Sequence, residues 1–126
     1  MAISPDSFNP MKTPNRLFLI KPNFLDGDKG PYFCPGCAEV TGLLEFYPAL
    51  KDLLEIHYVD FARPRPELVD LLGAENQSCP VLVLGDASTN SQPGLNVQSA
   101  RGHSFVEGAR EIAGYLAHTY GIGIPH

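Results

Sequence analysis

Two cysteines separated by two residues, in the run Tyr32-Phe33-Cys34-Pro35-Gly36-Cys37-Ala38, are the side chains best placed to do chemistry. They follow an apolar, strand-like segment and open a stretch that reads as a helix. At such a turn the first sulfur stands at a helix N-terminus, where unpaired backbone N–H groups and the helix dipole favour a thiolate. The second sulfur lies one turn further on. The spacing predicts disulfide exchange, with Cys34 as attacking nucleophile and Cys37 as the thiol that resolves the mixed disulfide. Pro35 falls in the first helical turn, where its missing N–H costs nothing and its fixed φ stiffens the loop. Gly36 adds no side chain, and the N–H groups of Gly36 and Cys37 are left for the Cys34 sulfur. The competing reading is a redox-inert pair in a binding module.

Around this pair, Tyr32 and Phe33 offer either an apolar lip for a partner or ordinary core packing. Arg63 and Arg65, interleaved with Pro64 and Pro66, form a rigid cationic turn whose plainest role is a solvated surface. Asp26, Asp28 and Glu39 are the carboxylates nearest in sequence. His57 and His118 read as packing or surface residues.

The elements that must position the cysteines follow from patterning. Leu17 to Ile20 is a continuous apolar run, a buried strand. A loop with Pro22, Gly27, Gly30 and Pro31 leads to Cys34. Val40, Leu43, Leu44 and Tyr47 share one helical face, and Pro48 ends that helix. Ile56 to Phe61 reads as a second strand. Pro66 opens a short helix carrying Leu68, Leu71 and Leu72, stopped by Gly73. Val81 to Leu84 is a third strand. From Ala87 to about Gly102 the chain is polar, either a functional loop or half of an irregular hairpin. A fourth strand is placed near His103 to Val106, and a last helix from about Gly108 to Tyr120 buries Ala109, Ile112, Ala113 and Leu116 before Gly121. The order β-α-β-α-β-β-α predicts a three-layer α/β/α fold around a mixed four-stranded sheet, its last two strands antiparallel. Residues 1–14 read as a flexible arm ahead of one domain, 15–126.

At 126 residues with 44% hydrophobic side chains the chain is long enough for one core. A net charge of −5 and a pI of about 5.2 give no basic footprint, so nucleic acid is not an expected partner. No apolar run approaches the roughly 18 residues of a membrane span, and the N-terminus lacks signal-peptide character. No membrane association is expected and the reading is cytoplasmic. In a reducing compartment an odd count of three cysteines is not a secreted disulfide framework.

Cys34-Pro35-Gly36-Cys37 after the first strand, Cys79-Pro80-Val81-Leu82-Val83 opening the third, and the closing helix together resemble the thioredoxin superfamily over about residues 15 to 121. The proline-first dipeptide is similar to that of glutaredoxins. The tail Ile112 to Gly121 is similar to the end of the glutathione-transferase N-terminal domain. As a whole the chain looks most like a bacterial thioredoxin-like family catalogued as a domain of unknown function.

The resemblance implies that the bond before Pro80 is cis and that Cys79 and Pro80 face Cys34. Phe33, Pro35, Gly36, Cys79 and Pro80 would then line a substrate groove. Cys79 would be a small buried filler, or come within disulfide reach of Cys34 as a minor oxidised form. It would otherwise join a three-thiolate metal site with His57 or His103; with one pair and a single thiol, no metal is expected. The resemblance also raises glutathione as a co-substrate, with Arg65 and Glu107 as contacts, although Gly108 and Ala109 stand where the transferases carry Glu-Ser. The Gly-Gly-Asp signature of glutaredoxins is missing. Three functions follow in order: a thiol-disulfide oxidoreductase without a bound cofactor acting on a protein or small disulfide, a non-catalytic module holding a peptide or protein, and a glutathione-dependent enzyme. The oligomeric state leaves no signature.

Overall fold

The computed structural model describes residues 13–85 and 95–126. Eleven elements follow one another: β1 (Asn15–Ile20), β2 (Phe24–Asp26), β3 (Lys29–Tyr32), α1 (Pro35–Phe46), α2 (Leu50–Leu53), β4 (Leu54–Val59), α3 (Pro66–Leu72), β5 (Val81–Val83), β6 (Gln98–Ala100), β7 (His103–Glu107) and α4 (Ala109–Tyr120). Five strands form an open mixed sheet in the order β4-β1-β5-β7-β6, and β2 and β3 pair separately as a hairpin. β1 runs parallel to β4 and antiparallel to β5. β7 is antiparallel to both β5 and β6.

The α/β class and the mixed sheet agree with the sequence, but the sheet has five strands where four were expected. The fifth, β6, lies within the polar stretch after Ala87 and pairs through Ala100↔His103, so the hairpin reading holds for that part. Residues 86–94 of the same stretch, like most of the 1–14 arm, lie outside the described residues. Expected strand two also begins earlier, at Leu54, because its pairing with β1 starts at Asn15↔Leu54.

The inner strands are buried on both faces. Leu17, Phe18 and Leu19 of β1, Val81 to Val83 of β5, and Phe105 and Val106 of β7 are each at most 1% exposed. Alternation along the strands separates the two layers. Phe18 faces the side on which its register partner His57 stacks on it at 4.8 Å, and there His57 reaches Glu67 of α3. Leu19 faces the opposite side, where it borders a groove with Cys37 and Thr41 of α1. α4 packs against α1 in that layer. Burying each of these side chains stabilises the fold by about 1.5–3 kcal/mol, which fixes the end of β1 against α1.

Two polar links tie the layers. Buried Asn15 accepts the Gly85 N–H at 2.7 Å and donates to the Tyr120 hydroxyl at 3.0 Å, joining the start of β1 to the end of β5 and to α4. The Gly108 N–H donates to the Pro80 carbonyl at 3.0 Å, so the approach to α4 is anchored on the residue that opens β5. Among the described residues no helix is long and apolar enough to cross a membrane.

Candidate functional site

The cysteine pair sits where β1 delivers the chain to the hairpin β2–β3 and the hairpin hands it to α1. Cys34 is the N-cap of α1, with extended backbone at φ −79° and ψ 115°. Its Sγ accepts the Cys37 N–H at 3.2 Å, taking the place a serine or aspartate oxygen fills at other helix starts. Pro35 is the first helical residue, as expected. The Cys34 thiol is partly exposed and that of Cys37 is buried, at 4%; both are free. Cys37 Sγ accepts the Ile20 N–H at 3.3 Å. Burial pushes the Cys37 thiol up to about 12, with the neighbouring Cys34 sulfur adding to the rise.

Cys79 and Pro80 close the site from the β5 side. The Cys79–Pro80 bond is cis. Cys34 Sγ lies 3.9 Å from the Cys79 carbonyl oxygen. A Cβ on Gly36 would stand 3.0 Å from Pro80 Cδ, so the bare second residue of the dipeptide is what lets α1 approach Pro80. Burial raises the Cys79 thiol to about 11, against the pull of Arg65 and Arg63.

A groove of about 420 Å³ opens beside Cys34, walled by Phe33, Tyr58, Pro22, Asn23, Ala38 and Thr41 with Ile20 and Cys37 at its floor. Phe33 is 62% exposed and Tyr58 51%, so both stand at the surface rather than in the core. Tyr32 leans on Phe24, which stacks face to face on Phe61 at 4.2 Å.

Of the residues expected to line a groove, Phe33 borders this one together with Cys34 and Cys37, whereas Pro35, Gly36, Cys79 and Pro80 do not line it; Cys79 and Pro80 meet the pair through the Cys34 sulfur and Gly36 instead. Arg65 differs from its surface reading. It is 4% exposed, and its guanidinium donates to the Phe61 carbonyl through Nε at 3.2 Å and Nη2 at 2.6 Å, and to the Gln77 carbonyl through Nη1 at 2.6 Å. Gln77, which the sequence did not single out, is buried and accepts the Arg65 N–H at 2.7 Å while donating to Ala74 at 2.7 Å. These bonds stitch the Arg-Pro-Arg-Pro turn to the segment entering Cys79, and they commit the guanidinium to the interior instead of presenting it to a glutathione carboxylate. Glu107 is half-buried on β7, opposite Val81, and accepts from Gln98 at 3.3 Å. Asp26, Asp28 and Glu39 are exposed, and no carboxylate is buried under the pair among the described residues. His57 is engaged by Phe18, Glu55 and Glu67. Among the described residues no group of three or more His, Cys, Asp or Glu is placed to hold a metal ion.

A mixed α/β domain with a dithiol at a helix N-terminus, facing a proline-led strand, is the class that fold and site define. The chain belongs to the family described as "Protein of unknown function (DUF3088)", whose family model matches residues 14–124. No curated protein and no solved structure matches it.

Proposed function

We propose that the chain is a thioredoxin-like thiol-disulfide oxidoreductase working through Cys34 and Cys37. The observation that carries the reading is the asymmetry of the pair: an accessible sulfur capping a helix beside a buried one a turn away. Cys34 attacks the substrate disulfide and forms a mixed disulfide while the first substrate thiolate leaves. Cys37, having given up its proton, then attacks Cys34 and releases the second substrate thiol. The backbone N–H of Ile20, already directed at Cys37 Sγ, supports that sulfur as charge develops on it.

The test is redox titration of the purified protein in dithiol buffers, with free thiols counted by mass. A reversible two-electron couple between about −180 and −280 mV, lost in Cys34→Ser, is the expected result. A pair that stays reduced across that range would sink the reading. It would favour instead the module that holds a peptide or protein, for which the exposed Phe33 and Tyr58 along the groove speak.

A further inference from the structure

Exchange through Cys34 and Cys37 leaves a third thiol unused. Cys34 Sγ rests 3.9 Å from the carbonyl oxygen of Cys79, a residue whose own sulfur is joined to that carbonyl through only Cα and Cβ. The three thiols also sense one another's charge: Cys34 acts on both Cys37 and Cys79, and Cys79 on Cys37. Cys34 and Cys79 are both partly exposed, and Cys37 is buried.

Cys37 and Cys79 stand in unlike surroundings. Cys37 is packed in the core with the Ile20 N–H as its polar neighbour and no cation among the groups that act on it. On the Cys79 thiol, the charges of Arg65 and Arg63 in the turn before α3 pull down against burial, while Cys34 at the start of α1 adds to the rise. Arg65 is not a swinging surface charge. It is buried, fixed by the Phe61 and Gln77 carbonyls, with Phe61's ring 5.9 Å from its guanidinium carbon. Those acceptors are neutral, and among the described residues no carboxylate pairs with it. A buried guanidinium held by neutral carbonyls keeps its positive field, and the Cys79 thiol is a group on which that field acts, favouring its ionised form.

We propose that Cys79 is a second resolving thiol of the Cys34 centre and that Arg65 is the residue that positions and supports it. The inference rests on exchange at Cys34. In the step, with Cys34 joined to a substrate sulfur, the Cys79 thiolate attacks Cys34 Sγ. The bond to the substrate sulfur breaks, and its electron pair leaves on the substrate thiolate, which takes a proton from water. A Cys34–Cys79 disulfide results. The substrate disulfide gains two electrons over the two steps and the two cysteines lose two, so no other oxidant or reductant enters.

The experiment uses the full chain and a chromogenic aromatic disulfide, 5,5′-dithiobis(2-nitrobenzoate), which releases one coloured thiolate per exchange. Reduced Cys37→Ser should release two equivalents and end two hydrogens lighter than its thiol form, with Cys34 and Cys79 linked and no aromatic group retained. Cys37→Ser/Cys79→Ser should stop after one equivalent as a lasting mixed disulfide on Cys34. If Cys37→Ser itself stops at one, or keeps an aromatic group on both Cys34 and Cys79, the proposal is overturned while exchange at Cys34 stands. If neither wild type nor Cys37→Ser releases a first equivalent, exchange itself is refuted and the proposal goes with it.

For Arg65, the Cys37→Ser background is again the host. Arg65→Gln should slow the second release about tenfold relative to the first and move its pH midpoint up by about one unit, and Arg65→Lys should restore both. An unmoved pH midpoint in a folded Arg65→Gln removes Arg65 from the mechanism. Should that variant not fold, the cysteine variants still decide the role of Cys79.

Discussion

Cys37 and Cys79 should react with alkylating reagents at rates set by how little of each thiol is ionised. At pH 8 a thiol at the ordinary value of 9.0 is about one-tenth ionised. Cys37, pushed to about 12 chiefly by burial, is ionised to about one part in ten thousand; Cys79, at about 11 through burial, to about one in a thousand. Because alkylation consumes the thiolate, iodoacetamide should label native Cys37 about a thousandfold and Cys79 about a hundredfold more slowly than the same residues in urea-unfolded chain. Cys34, partly exposed at the helix N-cap, should be labelled first. The informative perturbation is Cys34→Ser. It removes the Cys34 sulfur and charge that add to the Cys37 rise but leaves burial, the largest cause, in place. Cys37 in that variant should therefore remain slower than in unfolded chain by about a hundredfold or more. The assay is a labelling time course under reductant, read residue by residue through peptide mass. A native rate within about threefold of the unfolded rate for Cys37 in Cys34→Ser would show that burial does not control this thiol.

The same displacements set an alkaline limit on stability. The folded chain holds the protons of Cys37 and Cys79 more tightly than the unfolded chain, so their contribution is full below about pH 9 and is lost as pH rises towards 11 and 12; urea midpoints of the reduced protein should fall over that window, less steeply in Cys37→Ala, and parallel curves would contradict this. Tyr120, also raised by burial, adds to the wild-type and variant curves alike. Gly36→Ala sets a helix-propensity gain of up to about 1 kcal/mol against a Cβ 3.0 Å from Pro80 Cδ, and the overpacking should win by about 1 kcal/mol in urea unfolding, with slower exchange at Cys34; a more stable variant would mean that Pro80 yields freely.

Much of the fold was legible because its signals are local. The apolar run Leu17 to Ile20 became the end of β1, and Pro66 and Gly73 bracket α3 as proline and glycine bracket helices elsewhere. Cys34 as an N-cap and Pro35 as the first helical residue were readable for the same reason. The hairpin β2–β3 was not, because its strands are mostly exposed, carry Gly30 and Pro31, and have no apolar alternation to announce them. Its one local cue was the turn chemistry of Gly27-Asp28, the two residues between the Asp26↔Lys29 pair. β6 is three polar-edged residues whose strand character comes from pairing with β7. Burial of Arg65 had no sequence signal at all. A charged residue between prolines reads as solvent-facing, and only the tertiary meeting of the Phe61 and Gln77 carbonyls makes an interior place for it.

The bond from the Ile20 N–H to Cys37 Sγ gives β1 a second use. Pairing between β1 and β5 runs only from Arg16 to Phe18, and beyond it the strand's next inward-facing amide ends on sulfur instead of on a carbonyl. Oxidising the pair changes that acceptor from a thiol to a disulfide sulfur while the neighbouring Lys21 N–H stays on the Val59 carbonyl at 2.9 Å. Two consecutive amides thus form a built-in reporter and its internal reference. In an amide spectrum of the chain, the Ile20 resonance should shift with the electron count of the dithiol while Lys21 holds still, so the state of the centre can be followed without a label, a substrate or a dye.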